Sequence, residues 1–259
     1  MENIQKVKGF STFDLKIIGI VLMVVDHVHQ MFQPLGAPNW LDWFGRPVAT
    51  IFFFTSVIGF SYTHDKKKYM SRLFIFMVLM SLMTTVLEKV INFEQVVLIN
   101  NIFRDLLIGT MFMAGIDQFQ AVKNGNKASH LVLGILWFAL PFIFTVVAMP
   151  IVASQSVPLL FKQIVVGVFP AIILAENNFM VLLIPLLYLF RNNRVVQCLL
   201  IALTALVYGV MGSTQWIMIF AIIPIYFFNG QKGPGMKYFF YIFYPAHIAL
   251  LYVLAAWLH

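Results

Sequence analysis

The chain has 259 residues, of which 61% are hydrophobic and only 10% charged, and a mean hydropathy of +0.89; it lacks the polar side chains needed to coat a soluble globule of its size. Apolar runs recur from Ile17 to Leu258, so a cleavable leader or a single anchor does not account for them, and a multi-pass protein solvated by the lipid bilayer is expected. The net charge of +7 is spread over short loops, with no aromatic interleaving and no basic domain, which argues against a nucleic-acid partner.

A helix needs about 20 residues to cross the hydrocarbon layer, so the length predicts about nine or ten spans in one all-α membrane domain, 1–259, with no soluble domain. Runs such as Leu131–Met149 are apolar on all sides, unlike the alternating strands of a membrane barrel. In chain order the spans are predicted over 14–33, 47–63, 72–90, 97–116, 130–149, 158–190, 195–211, 214–228 and 237–258. Positive charge collects at Lys6, Lys8 and Lys16, at Lys66, Lys67, Lys68 and Arg72, at Lys123 and Lys127, at Arg191 and Arg194, and at Lys232 and Lys237. The positive-inside rule places all five clusters, and with them the amino terminus, on the cytoplasmic side of the cell membrane. The stretch 158–190 must then cross an odd number of times, yet it is too long for one straight helix and is interrupted by Pro170, Glu176-Asn177-Asn178 and Pro185. A broken helix with a re-entrant piece is expected; ten helices with a weaker charge rule at Arg191 is the alternative. Broken backbone at membrane depth survives only inside protein or beside a wet cavity, so Glu176 is placed at such a cavity. The single cysteine, Cys198, excludes an intramolecular disulfide and reads as a packing residue.

Ionisable groups inside spans are costly and mark function. The first span reads LKIIGIVLMVVDHVHQMF, with Asp26 and His27 about ten residues beyond Lys16, near mid-membrane at about 1.5 Å of rise per residue. Asp26 shares a face with His29 and Gln30, while His27 points roughly 100° away, so one of the pair serves chemistry while the other braces the fold. In the last span His247 lies ten residues beyond Lys237, and Pro245 just before it frees a backbone carbonyl. If both helices run outward, Asp26, His27 and His247 converge in one layer. Arg46, ahead of Pro47, either snorkels to headgroups or contacts an anion or carbonyl oxygen at the outer mouth. Arg104 and Asp105, with Asn100 and Asn101, read as an internal ion pair rather than a catalytic group. The run Lys66–Lys68 with Arg72 reads as topology and attraction to anionic lipid, or as a dock for a phosphorylated donor. P-loop, HExxH, GxSxG and metal-ligand spacings are all missing, so no metal is expected and hydrolase chemistry of those kinds loses support.

Three stretches together carry a family resemblance: LKIIGIVLMVVDHVHQMF, FGRPVATIFFFTSVIGFSYTHDKKKYMSRLFIF and FYIFYPAHIALL, with the polar break near Glu176 between the last two. In order and spacing, over nearly the full chain, they resemble the TraX family, which is named for a conjugative-pilin acetylase and groups with polytopic acyltransferases. The resemblance implies transfer of an acetyl or similar short acyl group from a cytoplasmic thioester, acetyl-CoA, to an amine or hydroxyl. The acceptor stays open among pilin or other peptide, glycan and lipid. Asp26, His27, Arg46, Glu176 and His247 match the family's polar signature. Acyl transfer needs a base for the acceptor's proton and a donor to steady the oxyanion. On this expectation His27 is the base, oriented by Asp26 or Glu176, and His247 relays the proton or polarises the carbonyl. Arg46 holds acceptor or oxyanion, and Lys66, Lys67, Lys68 and Arg72 attract the CoA phosphates. The rival reading of the same buried groups is a proton-coupled transporter or flippase. A non-catalytic scaffold is the third.

Overall fold

The computed structural model describes residues 8–123 and 128–259, so Lys6 and Lys127 lie outside the described residues. Helix α1, Thr12–Phe32, opens on a capping box: the Ser11 hydroxyl accepts from the Asp14 amide, and the Asp14 carboxylate accepts from the Ser11 amide at 2.8 Å. Short 3₁₀ turns at Gln33–Leu35 and Asn39–Phe44 lead to α2, Val48–Tyr62. Helix α3, Lys66–Ile91, starts earlier than the predicted span because Asp65 caps it, accepting from the Lys68 amide at 2.9 Å. Helices α4, Ile102–Lys123, and α5, Ala128–Ala153, follow.

The predicted break is present. Helix α6, Leu159–Val168, stops before Pro170; two 3₁₀ turns, Ile172–Leu174 and Asn178–Leu182, then carry the chain into α7, Leu183–Leu189. Helix α8, Arg194–Val210, precedes a 3₁₀ stretch, Thr214–Ala221, that continues as α9, Ile222–Tyr226, and α10 is Lys237–Leu258. Among the described residues, five helical stretches are long and apolar enough to cross a membrane: Thr12–Leu35, Asn39–Tyr62, Lys66–Ile91, Ala128–Ala153 and Tyr238–Leu258. Four shorter apolar helices fill the second half of the bundle: Leu159–Val168, Asn178–Leu189, Arg194–Val210 and Thr214–Tyr226. The chain is an all-α polytopic membrane bundle.

The most deeply buried helix is α4, covered without a break from Phe103 to Asp105 and again from Leu107 to Ile116. Glycines let its neighbours approach: a Cβ on Gly115 would meet Phe138 at 2.5 Å, one on Gly134 would meet Phe119 at 2.5 Å, and one on Gly109 would meet Ile184 at 2.4 Å.

The described residues of the basic clusters gather at one end of the bundle. There the Phe10 amide donates to Phe227 O and the Asn229 amide to Phe10 O, both at 2.9 Å, and Lys66 is ion-paired with Asp117. Arg194 stacks on Phe54 and Phe228 at 4.4 and 4.9 Å. These contacts join the starts of α1, α3 and α8, the end of α4 and the link before α10. The broken segment therefore runs once, net, from the opposite end of the bundle to this one.

Arg104 and Asp105 do not form the expected ion pair with each other; α4 uses them to hold the break. The Arg104 guanidinium donates to Leu174 O at 2.5 Å, to Ser81 Oγ at 3.3 Å and to Val166 O. The Asp105 carboxylate accepts from the amides of Glu176 and Asn177 at 2.9 and 3.0 Å and from Asn177 Nδ2 at 2.7 Å. The carbonyls and amides orphaned by the break thus find charged partners, and each such bond forms where water is scarce.

Candidate functional site

His27, in the last third of α1, meets His247, halfway along α10. His27 Nδ1 lies 2.7 Å from His247 Nε2, and the rings stack with centroids 4.9 Å apart. Both are buried. The tautomers follow from the outer partners. His247 Nδ1 is 2.8 Å from Phe243 O, a carbonyl that only accepts, so Nδ1 carries the proton and Nε2 the lone pair. His27 then donates from Nδ1 to His247 Nε2, which leaves the lone pair of His27 on Nε2. That nitrogen faces Asn100 Nδ2 at 3.2 Å. Asn100 in turn forms a reciprocal amide pair with Gln30, at 2.9 and 3.0 Å. The result is a one-way line of donors running from Asn100 through His27 and His247 to the backbone of α10.

Glu176 reaches the same layer from the break. Its Oε2 accepts from the Tyr244 hydroxyl at 2.9 Å and the Asn101 amide at 2.8 Å, and the Tyr244 oxygen accepts from the Ile102 amide at 3.2 Å. Tyr244 also touches both imidazoles edge-on, with centroids 6.1 Å from His27 and 5.8 Å from His247. Glu176 does not bond to His27, and neither does Asp26; the group that orients His27 is His247. Asp26 turns instead toward the chain's return into α2, so close to Gly45 that a Cβ there would sit 2.1 Å from its Cγ. Arg46 exerts its charge on Asp26 but is ion-paired with Asp42, donates to Gln215 Oε1 at 3.4 Å and receives Gln215 Nε2 on its carbonyl at 3.0 Å. His27, His247 and Glu176 therefore share one layer, while Asp26 and Arg46 make a second polar group on the side away from the basic end.

A cavity of about 970 Å³ leads from the basic end toward the histidines. Lys16, Arg72 and Lys232 are its cations, aromatic and aliphatic side chains form its walls, and Met23, Ile102, Phe103 and Tyr244 line its inner end; neither histidine lines it, Met23 and Tyr244 standing about one turn before His27 and His247 on their helices. Of the four cations expected to hold phosphates only Arg72 lines it. Lys66 is tied to Asp117 and lies over the Phe60 ring at 4.8 Å, and Lys67 and Lys68 are exposed outside it. Among the described residues no three His, Cys, Asp or Glu side chains are placed to hold a metal ion.

The profile described as TraX protein matches residues 11–255. The chain belongs to the TraX family. A TraX-family chain of this length also resembles the "Probable fimbrial assembly protein FimC, serogroup H1" of Dichelobacter nodosus, with 26% identity over 264 residues, covering 93% of this chain and 94% of the relative. No solved structure matches this TraX protein.

Sequence reasoning missed Asn100 as a partner of His27, Tyr244 as a partner of Glu176, and Lys16 and Lys232 as cavity cations. Asn100 lies in the coil before α4, where a continuous span over 97–116 was expected; the bond from the Leu98 amide to Glu88, at 2.6 Å, and that from the Asn101 amide to Glu176 hold this stretch out of helix. Tyr244 and Lys16 carry readable signals, one turn before His247 and about three turns before His27 on their own helices.

Proposed function

We propose that this protein is a membrane acyltransferase that moves an acetyl or other short acyl group from acetyl-CoA to an amine or hydroxyl of a membrane or extracytoplasmic acceptor, acting as a single membrane domain with its basic end and amino terminus in the cytoplasm. The observation that carries this reading is the His27–His247 pair behind Tyr244, which touches both imidazoles and lines a large cavity whose cations lie toward the basic end. The cavity suits such a donor. Lys16, Arg72 and Lys232 would hold its phosphates, and the apolar walls its thioester arm.

The pair supplies the base. Because Phe243 O fixes the tautomer of His247, and His247 that of His27, the basic nitrogen the pair leaves for an acceptor is His27 Nε2, which rests against the Asn100 amide. The acceptor's N–H or O–H displaces that amide and gives its proton to Nε2 as its heteroatom attacks the thioester carbonyl carbon. His247 steadies the imidazolium by accepting its Nδ1–H bond. Collapse of the tetrahedral species breaks the C–S bond, and the proton passes from Nε2 to the leaving thiolate. Asp26 and Arg46, on the far side of the layer, would receive the acceptor. The name of the Dichelobacter nodosus relative makes a fimbrial subunit one acceptor to try.

The test uses purified protein in detergent and acetyl-CoA labelled in the acetyl group. Wild type is expected to transfer the label or slowly hydrolyse the thioester. His27→Ala and His247→Ala, each inserted and folded, should lose about 10²–10⁴-fold in rate. Full activity in both variants would sink the assignment, and no consumption of donor by wild type under any condition would favour a transporter.

A further inference from the structure

Acyl transfer needs a hydrogen-bond donor where negative charge develops on the carbonyl oxygen, and the histidine pair does not provide one: His27 Nδ1–H and His247 Nδ1–H are both committed, to His247 and to Phe243 O. The cations of the cavity gather toward the basic end, with Lys16 about three helical turns before His27 on α1. Arg46 does not line the cavity and is held by Asp42 and Gln215. One polar group does reach the closed end. Tyr244 lines the cavity, touches both imidazole rings, and holds its hydroxyl between the Ile102 amide and the Glu176 carboxylate.

We propose that Tyr244 is a catalytic residue of this site, its phenolic O–H giving the hydrogen bond that stabilises the oxyanion of the acyl donor. The inference rests on the acyl-transfer reading. In the resting protein the hydroxyl is aimed at Glu176 Oε2; when the thioester carbonyl occupies the closed end, the O–H turns to its oxygen, and Glu176 keeps the Asn101 amide as a partner. The donation from the Ile102 amide into the phenol oxygen draws electron density from it and makes the O–H a stronger donor. Tyr244 changes no protonation state through the cycle. The new bond forms between acceptor and carbonyl carbon, the charge sits on the oxygen held by Tyr244, and its return expels the thiolate.

The experiment follows thiol release from acetyl-CoA with hydroxylamine as the acceptor, in the full chain. Tyr244→Phe removes only the hydroxyl and should lower kcat about 10²–10³-fold while leaving KM for acetyl-CoA within about twofold. Because that change also unties Glu176, thermal unfolding in detergent is read beside the kinetics: a hydroxyl that only holds Glu176 would lower stability and kcat together, whereas an oxyanion donor lowers kcat with the unfolding temperature nearly unchanged. Incorporating 3-fluorotyrosine in the wild type and in a chain whose other eight tyrosines are phenylalanine gives a further readout, since a more acidic phenol should shift kcat and a purely structural one should not. Tyr244→Phe with wild-type kcat, or with a loss of kcat matched by a loss of stability, overturns the role of the hydroxyl while leaving acyl transfer in place. A wild type that releases no thiol overturns the reading beneath it.

Discussion

A single methyl group tests how Asp26 is built into the molecule. Gly45 has an ordinary helical φ of −71°, so its value lies in the missing side chain and not in backbone freedom: a Cβ there would lie 2.1 Å from both Cγ and Oδ1 of Asp26. Gly45→Ala should therefore cost about 1–3 kcal/mol of stability by overpacking. Asp26→Ala in the same chain removes the clash, so the double variant should be more stable than the sum of the single changes predicts, as read by thermal unfolding in detergent. Additive losses would show that the carboxyl moves aside without cost. At this scale the sequence was readable for Asp26, His27 and His247, because charged and polar groups stand out in apolar spans and their depth is counted from the nearest lysine. It was not readable for the division of labour between neighbours. Which of Asp26 and His27 turns toward α10, and which toward Gly45, depends on how α1 is rotated, and Asn100 meets His27 only because a loop folds inward.

The broken segment between α6 and α7 stands or falls with two side chains of another helix. Asp105 accepts three N–H groups from residues 176 and 177, so Asp105→Ala orphans all three where lipid and protein offer no water, at a cost of about 1–3 kcal/mol for each donor. The expected outcome is a chain that inserts but gives little monodisperse protein on size exclusion. Asp105→Asn, which keeps one acceptor oxygen, should recover part of it. Activity should fall in both, because Glu176 is carried by the same turn. Normal yield from Asp105→Ala would mean the break closes its own hydrogen bonds. Pro170 and the polar run Glu176-Asn177-Asn178 made the interruption visible in the sequence. The clamp was hidden, since Arg and Asp side by side look like partners, and only the arrangement around α4 shows them reaching in different directions to the carbonyls and amides of the break.

Among the described residues, joining α6 to α7 and the 3₁₀ stretch at 214–221 to α9 gives nine helical passes through the bundle, and charge parity is what would tie that count to a membrane orientation. The fold class and the span positions were legible because lipid demands long apolar runs with internally satisfied backbones, apart from the third, whose basic first turn precedes its apolar run, and the fourth, which slid by several residues because its polar start belongs to the site. Orientation is measurable with cysteines introduced into a Cys198→Ala chain. Gln33→Cys, Gln95→Cys and Gln155→Cys sit on exposed loops of the end opposite the basic clusters, and Lys67→Cys, Asn192→Cys and Gly235→Cys on exposed positions of the basic end. A membrane-impermeant maleimide applied to intact cells should label the first three and reach the second three only after permeabilisation. Asn192 is the deciding position: two full spans between Gln155 and Arg191 would place it outside with Gln155, whereas one net crossing through the break places it with Lys67. Labelling of Asn192→Cys in intact cells would therefore overturn the nine-pass path, and with it the proposed placement of the cavity on the cytoplasmic side.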